Sequence, residues 1–137
     1  MLLAKYTYGP RPRRKIEGVD VVVSLLKDSE RPRAWQECER YPLTARKWGP
    51  TVEVSPVEEF VRVAKRVKEL LEEGKRVHVH CHAGLDRSTL VTYFLLREFG
   101  YESAGARENA GYYRRPSIQS HGRFYLRHYL LSFGIRI

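Results

Sequence analysis

The chain has 137 residues, of which 42% are hydrophobic, and its 25 Lys and Arg outnumber 16 Asp and Glu for a formal net charge of +9. This size and hydrophobic content predict a single domain over residues 1–137 and exclude wholesale disorder. No apolar run approaches the roughly 20 residues that cross a bilayer, so we expect no membrane span. The charge favours an anionic partner such as phosphate, nucleic acid or acidic lipid.

The number of cysteines and the first residues of the chain indicate the expected cellular compartment. Cys38 and Cys81 are the only cysteines, too few for a disulfide framework. Residues 1–4 are too short an apolar stretch for the core of a secretory signal. We therefore expect a soluble, monomeric, cytoplasmic protein. The near absence of Asn and Gln favours a thermophilic source.

The first third of the chain predicts two strands separated by a basic turn. Residues 3–8 are a candidate short strand, and residues 9–14 form a turn that contains three Arg. Residues 19–26 are a Val-rich, nearly continuous apolar run, typical of a buried strand in a parallel or mixed sheet. The polar stretch that follows is interpreted as a helical turn, a short strand and a loop, over residues 34–39, 40–43 and 44–55.

The clearest element is an amphipathic helix over residues 55–74. Ser55 is the expected N-cap, Pro56 occupies the first helical position, and Glu58 completes a capping box. Gly74 ends the helix. Its expected buried face consists of Val57, Phe60, Val61, Ala64, Val67, Leu70 and Leu71.

The remaining chain continues the alternation of strands and helices. Residues 75–80 alternate as a strand, residues 81–87 form a loop, and residues 88–99 are an apolar helix that ends before Gly100. Two more helices are expected over residues 104–113 and 117–133, separated by Pro116. This rhythm predicts an α/β fold in which helices flank a central, mostly parallel sheet.

The loop after the strand at residues 75–80 has the residues of an anion-binding nucleophile. Cys81 is followed by five residues and then Arg87, with Gly84 free to adopt the positive φ that a tight curl requires. Backbone N–H groups at the start of the following helix can surround a tetrahedral phosphate and stabilise a thiolate on Cys81. Arg87 can clamp two phosphate oxygens, and Ser88 can donate to the sulfur. The expected phosphate-binding residues are His82, Ala83, Gly84, Leu85, Asp86 and Arg87.

The motif from His80 and Cys81 to Arg87 and Ser88 resembles the signature of the cysteine-dependent protein tyrosine and dual-specificity phosphatases, most of all their small archaeal members. Residues 19–26, 55–74 and 115–118 also resemble parts of that family. The resemblance implies a dual-specificity-phosphatase-like fold and a two-step reaction through a phosphocysteine, with no metal or cofactor. A chain this short lacks long insertions, which favours a shallow cleft and a broad range of phosphorylated proteins as substrates.

The sequence departs from the family at the general acid. The family places an Asp roughly thirty residues before the Cys, but residues 44–55 contain only one carboxylate, Glu53. Asp20 and Asp28 lie at the ends of the buried strand and are poor candidates. Asp86, inside the loop, resembles the acid proposed in phosphoinositide phosphatases. Asp86 and Glu53 therefore both remain candidate acids.

Several other residues have two interpretations. The resemblance makes His80 a residue that orients the loop, and we expect the His82 side chain to point outward. Gln119 and His121 lie where the family positions a water molecule, although a place on a helix surface is the favoured interpretation of both. Cys38 is interpreted as a small buried side chain, with a disulfide to Cys81 as the alternative.

Four functions compete. Dephosphorylation of phosphotyrosine, and of phosphoserine or phosphothreonine, in proteins is the first. An RNA 5′-polyphosphate phosphatase suits the positive charge and the missing Asp, because a phosphate leaving group needs less protonation. A phosphoinositide or inositol phosphate phosphatase is suggested by Asp86. A non-catalytic phosphate-binding module would not need the thiol of Cys81.

Overall fold

The computed structural model describes residues 2–30, 37–44, 55–82 and 86–110, with only the backbone of Asp86. These residues form four strands, three α-helices and two 3-10 segments. The strands are β1 (Tyr6–Gly9), β2 (Val21–Ser24), β3 (Glu39–Arg40) and β4 (Val77–His80). The α-helices are α1 (Val57–Glu72), α2 (Asp86–Glu98) and α3 (Ser103–Asn109), and the 3-10 segments are Leu2–Lys5 and Asp28–Glu30.

The four strands form one parallel sheet in the order β1-β4-β2-β3. The register pairs His80 of β4 with Gly9 on one side and with Ser24 on the other, so three strands end level with one another. β3 joins the outer side of β2, where Arg40 is paired with Ser24. The α/β architecture with a parallel sheet, predicted from the alternation of strands and helices, is confirmed.

The core lies between the sheet and the first two helices. Val77 and Val79 of β4 and Val23 of β2 are fully buried there, and α1 packs against α2. His78 and His80 alternate with the two valines and therefore project from the opposite face of the sheet. The helices contribute the largest buried side chains, which include Phe60, Leu70, Leu71, Tyr93 and Leu95.

The first strand begins later than predicted. Residues 3–8 were expected to be extended, but Leu2–Lys5 form a 3-10 helix and β1 starts at Tyr6. Tyr6 is paired with Val77, the first residue of β4, so the sheet offers no described partner to the residues before it. Lys5 instead donates from Nζ to the carbonyl of Gly74, 3.1 Å away. The buried strand is likewise shorter than residues 19–26, and the short strand after it is Glu39–Arg40 rather than 40–43.

Helix α1 has the predicted amphipathic character but a different start. Pro56 is the N-cap residue, and no side chain caps the helix. Ser55 accepts a hydrogen bond at Oγ from the backbone N–H of Thr44 at 2.8 Å, so the expected capping box is wrong. On the buried face, Val63 is buried and Val61 only half-buried, the reverse of the expected roles.

Two glycines end helices as predicted, whereas α3 is shorter than expected. Gly74 and Gly100 have φ values of 85° and 92°, the left-handed conformation that glycine adopts without steric cost. The helix predicted over residues 104–113 runs from Ser103 to Asn109, with Ala110 as its C-cap. The helix predicted over residues 117–133 lies outside the described residues.

Candidate active site

The predicted catalytic loop lies at the edge of the sheet where all four strands end. Cys81 follows β4 directly, and its backbone N–H donates to the carbonyl of Gly9, at the end of β1, over 3.2 Å. On the other side, the N–H of Leu25 donates to the carbonyl of His80 over 2.9 Å. Cys81 is therefore held between two strands, at the crevice where open parallel sheets bind their ligands.

The sulfur of Cys81 is buried next to a hydroxyl and a carbonyl oxygen. Cys81 is 1% exposed, and its Sγ lies 3.2 Å from the hydroxyl of Ser88 in the first turn of α2. Sγ also donates to the carbonyl oxygen of His82 over 3.4 Å, a contact that only a protonated thiol can make. The Ser88 hydroxyl can donate to either form of the sulfur, so it is the neighbour that suits a thiolate.

The first turn of α2 is tied to β1 as well as to the loop. Thr92 donates from Oγ1 to the carbonyl of Ser88 over 2.7 Å, and the hydroxyl of Tyr6 contacts the same Oγ1 at 2.6 Å. Because Thr92 uses its proton on Ser88, Tyr6 is the donor in this pair. Burial raises the pKa of the Tyr6 phenol well above its usual range, so the phenol keeps the proton that it donates.

Arg87 is held by a carboxylate that the sequence analysis did not single out. The Arg87 side chain is 11% exposed, and its Nη1 and Nη2 lie 2.7 and 2.8 Å from the two carboxylate oxygens of Glu30. Nη1 also donates to the carbonyls of Leu25 at 3.4 Å and Leu43 at 3.2 Å. One end of the guanidinium is thereby anchored to the loops after β2 and β3.

Glu30 is itself held in place by its own turn. Its Oε1 accepts from the backbone N–H of Lys27 at 3.0 Å, and the N–H of Glu30 donates to the carbonyl of Lys27. Burial on its own would raise the pKa of Glu30, but the hydrogen bonds from Arg87 and Lys27 lower it to about 2. Glu30 therefore carries its negative charge at neutral pH. The sequence does not single out Glu30, because only the strand order shows that the loops after β2 and β4 meet at the same edge of the sheet.

Thr44 and Ser55, the first and last residues of the loop expected to contain one candidate acid, are hydrogen-bonded to each other. The backbone N–H of Ser55 donates to the carbonyl of Thr44 over 2.9 Å, and Ser55 Oγ accepts from the N–H of Thr44. These two bonds hold Thr44 and Ser55 together, next to Leu43, the residue whose carbonyl contacts Arg87. Glu53 belongs to this loop and lies outside the described residues.

The two histidines that flank Cys81 have opposite surroundings. His80 is 3% exposed, and burial, helped by the positive charges of His78 and Arg87, lowers the pKa of His80 to about 4. It is therefore neutral at physiological pH. His82 is exposed, the arrangement expected for a side chain that points outward.

Both poor acid candidates are engaged with other groups, and only the backbone of Asp86 is described among the good candidates. Asp20 accepts from the backbone N–H of Arg76 at 2.8 Å, at the opposite edge of the sheet. Asp28 is 83% exposed and paired with Arg40. Asp86 is the first residue of α2, directly before Arg87. The other predicted site residues that lie outside the described part of the chain are Ala83, Gly84, Leu85, Gln119 and His121.

A disulfide between Cys38 and Cys81 is incompatible with the sheet. Neither cysteine forms a disulfide, and Cys38 precedes β3, two strands away from β4. The register places Arg40 level with His80 through Ser24. With strands about 4.8 Å apart and a rise of about 3.3 Å per residue, the two Cα atoms are roughly 14 Å apart. A disulfide allows no more than about 7 Å.

Comparison with known proteins gives a match in fold and none to a family model. No protein-family model and no characterised protein matches the chain. Two solved structures of Tk-PTP, a protein tyrosine phosphatase, do match its fold. The chain has a protein tyrosine phosphatase-like fold.

The extent of the match differs between the two structures. A glycine-to-alanine mutant form of Tk-PTP gives a TM-score of 0.60 at 24% identity, over 85% of this chain and 79% of that one. The active form gives 0.53 at 25% identity, over 71% of this chain and 66% of that one. This similarity suggests a phosphatase and leaves the roles of the individual site residues as predictions.

The described part of the chain offers neither a metal-binding cluster nor a membrane-spanning helix. Within residues 2–30, 37–44, 55–82 and 86–110, no group of three or more His, Cys, Asp or Glu side chains could hold a metal ion. None of the helices there combines the length and apolar character of a membrane span.

Proposed function

We propose that this chain hydrolyses phosphomonoesters, phosphotyrosine in proteins above all, through a phosphocysteine on Cys81, and that residues 1–137 form one phosphatase domain. The observation that carries the proposal is the pairing of a buried sulfur with a fixed guanidinium. Cys81 lies at the end of the central strand with Ser88 at 3.2 Å, and Arg87 is anchored by Glu30 at the start of the next helix.

Phosphate binding follows from this arrangement. Glu30 contacts the Nη1–Nη2 end of the guanidinium, so a bidentate contact to two phosphate oxygens would use the side edge of the group, Nε and Nη2. We propose that backbone N–H groups from His82 to Arg87 surround the remaining oxygens. Phosphorus is then presented to the sulfur, and the positive surroundings stabilise the charge that develops on the oxygens.

The reaction proceeds in two displacements. The thiolate of Cys81 attacks phosphorus, the bond to the leaving oxygen breaks, and that oxygen takes a proton from Asp86 or Glu53. A water molecule then attacks the phosphocysteine and gives its proton to the same carboxylate, and inorganic phosphate leaves. Ser88 donates a hydrogen bond to the sulfur as it departs with its negative charge. Gln119 and His121 are candidates for orienting this water.

The test compares four substrates under metal-free conditions. Purified protein is incubated in EDTA with a phosphotyrosine peptide, a phosphoserine peptide, an inositol phosphate and an RNA that bears a 5′-triphosphate. We expect hydrolysis of the phosphotyrosine peptide, inhibition by vanadate, and a phosphoryl group on Cys81 in mass spectra of acid-quenched enzyme. A metal requirement would refute the mechanism, and faster hydrolysis of RNA or inositol phosphate would reassign the substrate.

Two cysteine variants complete the test. Cys81→Ser should abolish turnover and retain binding of phosphate, because a serine hydroxyl is not ionised by the loop. Cys38→Ser is the matched control and should keep the wild-type rate, since Cys38 lies two strands away. Turnover by Cys81→Ser above a few per cent of wild type would show that Cys81 is not the nucleophile.

A further inference from the structure

A group of exposed basic side chains shares the edge of the sheet with Cys81. The segment directly after β1 contains Arg11, Arg13, Arg14 and Lys15, which we call the basic loop, and all four residues are exposed. Because β1 is the immediate neighbour of β4, the basic loop begins beside the residue that precedes Cys81. Within residues 10–18 the only acidic residue is Glu17, so the charge of the segment is not neutralised locally.

One residue of the basic loop is fixed near Arg87. Arg11 donates from Nη1 to the backbone carbonyl of Glu30 over 3.2 Å, and the side chain of the same Glu30 holds Arg87. Glu30 thus contacts both guanidinium groups, that of Arg11 through its backbone carbonyl and that of Arg87 through its carboxylate. The length of an extended glutamate limits the distance between the two groups to about 12 Å. Arg11 therefore lies within reach of the groups around a phosphate bound by Arg87.

We propose that the basic loop, with Arg11 as its inner member, binds acidic side chains next to the phosphorylated tyrosine of a protein substrate. This inference rests on the proposed function. A phosphotyrosine places the peptide backbone one ring length away from phosphorus, and each neighbouring residue adds about 3.3–3.6 Å of reach. A carboxylate one to three residues from the tyrosine can therefore meet Arg11 while the phosphate occupies the catalytic loop.

The composition of the basic loop favours an acidic peptide over RNA. Guanidinium groups pair with carboxylates in bidentate geometry. Single-stranded nucleic acid is usually bound with aromatic side chains on which bases stack, and residues 10–18 contain none.

The experiment measures peptide binding separately from catalysis. Two phosphotyrosine peptides of equal length, one flanked by Glu and the other by Gln, are bound to Cys81→Ser protein at low salt, and their Kd values are compared. We expect the acidic peptide to bind about tenfold more tightly, a preference that weakens as salt screens exposed charges. Arg11→Ala should reduce the preference at least threefold, and Arg11→Glu should abolish it.

A matched control has the same change of charge at the other edge of the sheet. Arg76 is exposed and precedes β4, so Arg76→Ala should leave the preference for the acidic peptide unchanged. Equal loss of affinity for both peptides in Arg11→Ala would overturn the proposal, because it would mean that Arg11 acts through Glu30. A larger loss for a 5′-triphosphorylated RNA than for the acidic peptide would overturn it in favour of RNA.

Binding and turnover keep the two proposals distinguishable. If wild-type protein hydrolyses neither peptide while the Arg11-dependent preference persists, the proposed function fails and the acidic subsite stands. If wild-type protein hydrolyses both peptides, and Arg11→Ala leaves the ratio of their Kd values unchanged, the proposed function stands and the subsite is refuted.

Discussion

Replacing Glu30 with Gln removes one charge beside Arg87 while keeping the size of the side chain. Breaking a fully buried ion pair costs about 3–5 kcal/mol, because the remaining charge has no counterion. Here the side chains of Glu30 and Arg87 are 20% and 11% exposed, so water partly screens the loss and we expect about 2–3 kcal/mol. For a 137-residue domain this lowers the melting temperature by about 9 °C.

The loss of stability in Glu30→Gln should depend on pH in a defined direction. The pKa of Glu30 falls from an ordinary 4.5 to about 2 on folding. The stability that the charged carboxylate contributes is therefore complete above about pH 5 and is lost as the pH falls from 4.5 towards 2. Gln does not titrate, so the unfolding free energies of wild type and variant should converge over that range. Urea unfolding at pH 7, 4 and 3 measures this convergence.

Asp28→Asn is the control for the Glu30 experiment. Asp28 lies on the same 3-10 turn and pairs with Arg40, but its side chain is 83% exposed, so we expect a loss below about 0.5 kcal/mol. Glu30→Gln should also lower kcat/KM for a phosphotyrosine peptide by about 10- to 100-fold, since displacement of a positioning group has effects of that size. Wild-type stability in Glu30→Gln, or a loss that stays constant down to pH 3, would refute the ion pair as the anchor of Arg87.

Three further predictions concern the reaction itself. Arg87→Lys should lower kcat/KM by at least 100-fold, because an ammonium cannot contact Glu30 and two phosphate oxygens as a planar fork; a near-normal rate would contradict the bidentate contact. Ser88→Ala should slow breakdown of the phosphocysteine more than its formation, so that the intermediate accumulates in rapid-quench experiments, whereas an unchanged ratio of the two rates would remove Ser88 from the second step. Asp86→Asn should slow hydrolysis of phosphotyrosine by about 10²- to 10⁴-fold and p-nitrophenyl phosphate much less, with a smaller effect of Glu53→Gln. The opposite ranking would assign the acid to Glu53, and equal effects on both leaving groups would favour RNA 5′-polyphosphate as the substrate.

The local elements of the fold could be predicted because their signals are contained in short stretches of sequence. The Val-rich run that includes Val21–Ser24 is apolar on both faces, as a central parallel strand must be, and the structure makes it one. The apolar spacing along residues 57–72 and the glycine at position 74 likewise predicted α1 and its end. The succession of strand, loop and helix around Cys81 followed from the same periodicities.

The contacts of the site could not be predicted because they join residues that are distant in sequence. Glu30 and Arg87 are 57 positions apart, and nothing in the polar stretch after β2 distinguishes Glu30 from the carboxylates near it. The predicted role of Ser55 was wrong for the same reason. Its local sequence is that of an N-cap, but the fold brings the backbone N–H of Thr44 to its hydroxyl, with 2.8 Å between nitrogen and oxygen. A disulfide between Cys38 and Cys81 could be excluded only after the strand order was known.

The sequence by itself therefore determined the class of fold and the loop that contains Cys81 and Arg87, since hydrophobic period, glycine positions and motif spacing act over a few residues. Only the tertiary structure decided which carboxylate holds Arg87, that Thr44 and Ser55 meet, and that Arg11 lies near the same site. These contacts arise because four parallel strands end at one edge of the sheet and bring together loops that the chain keeps far apart.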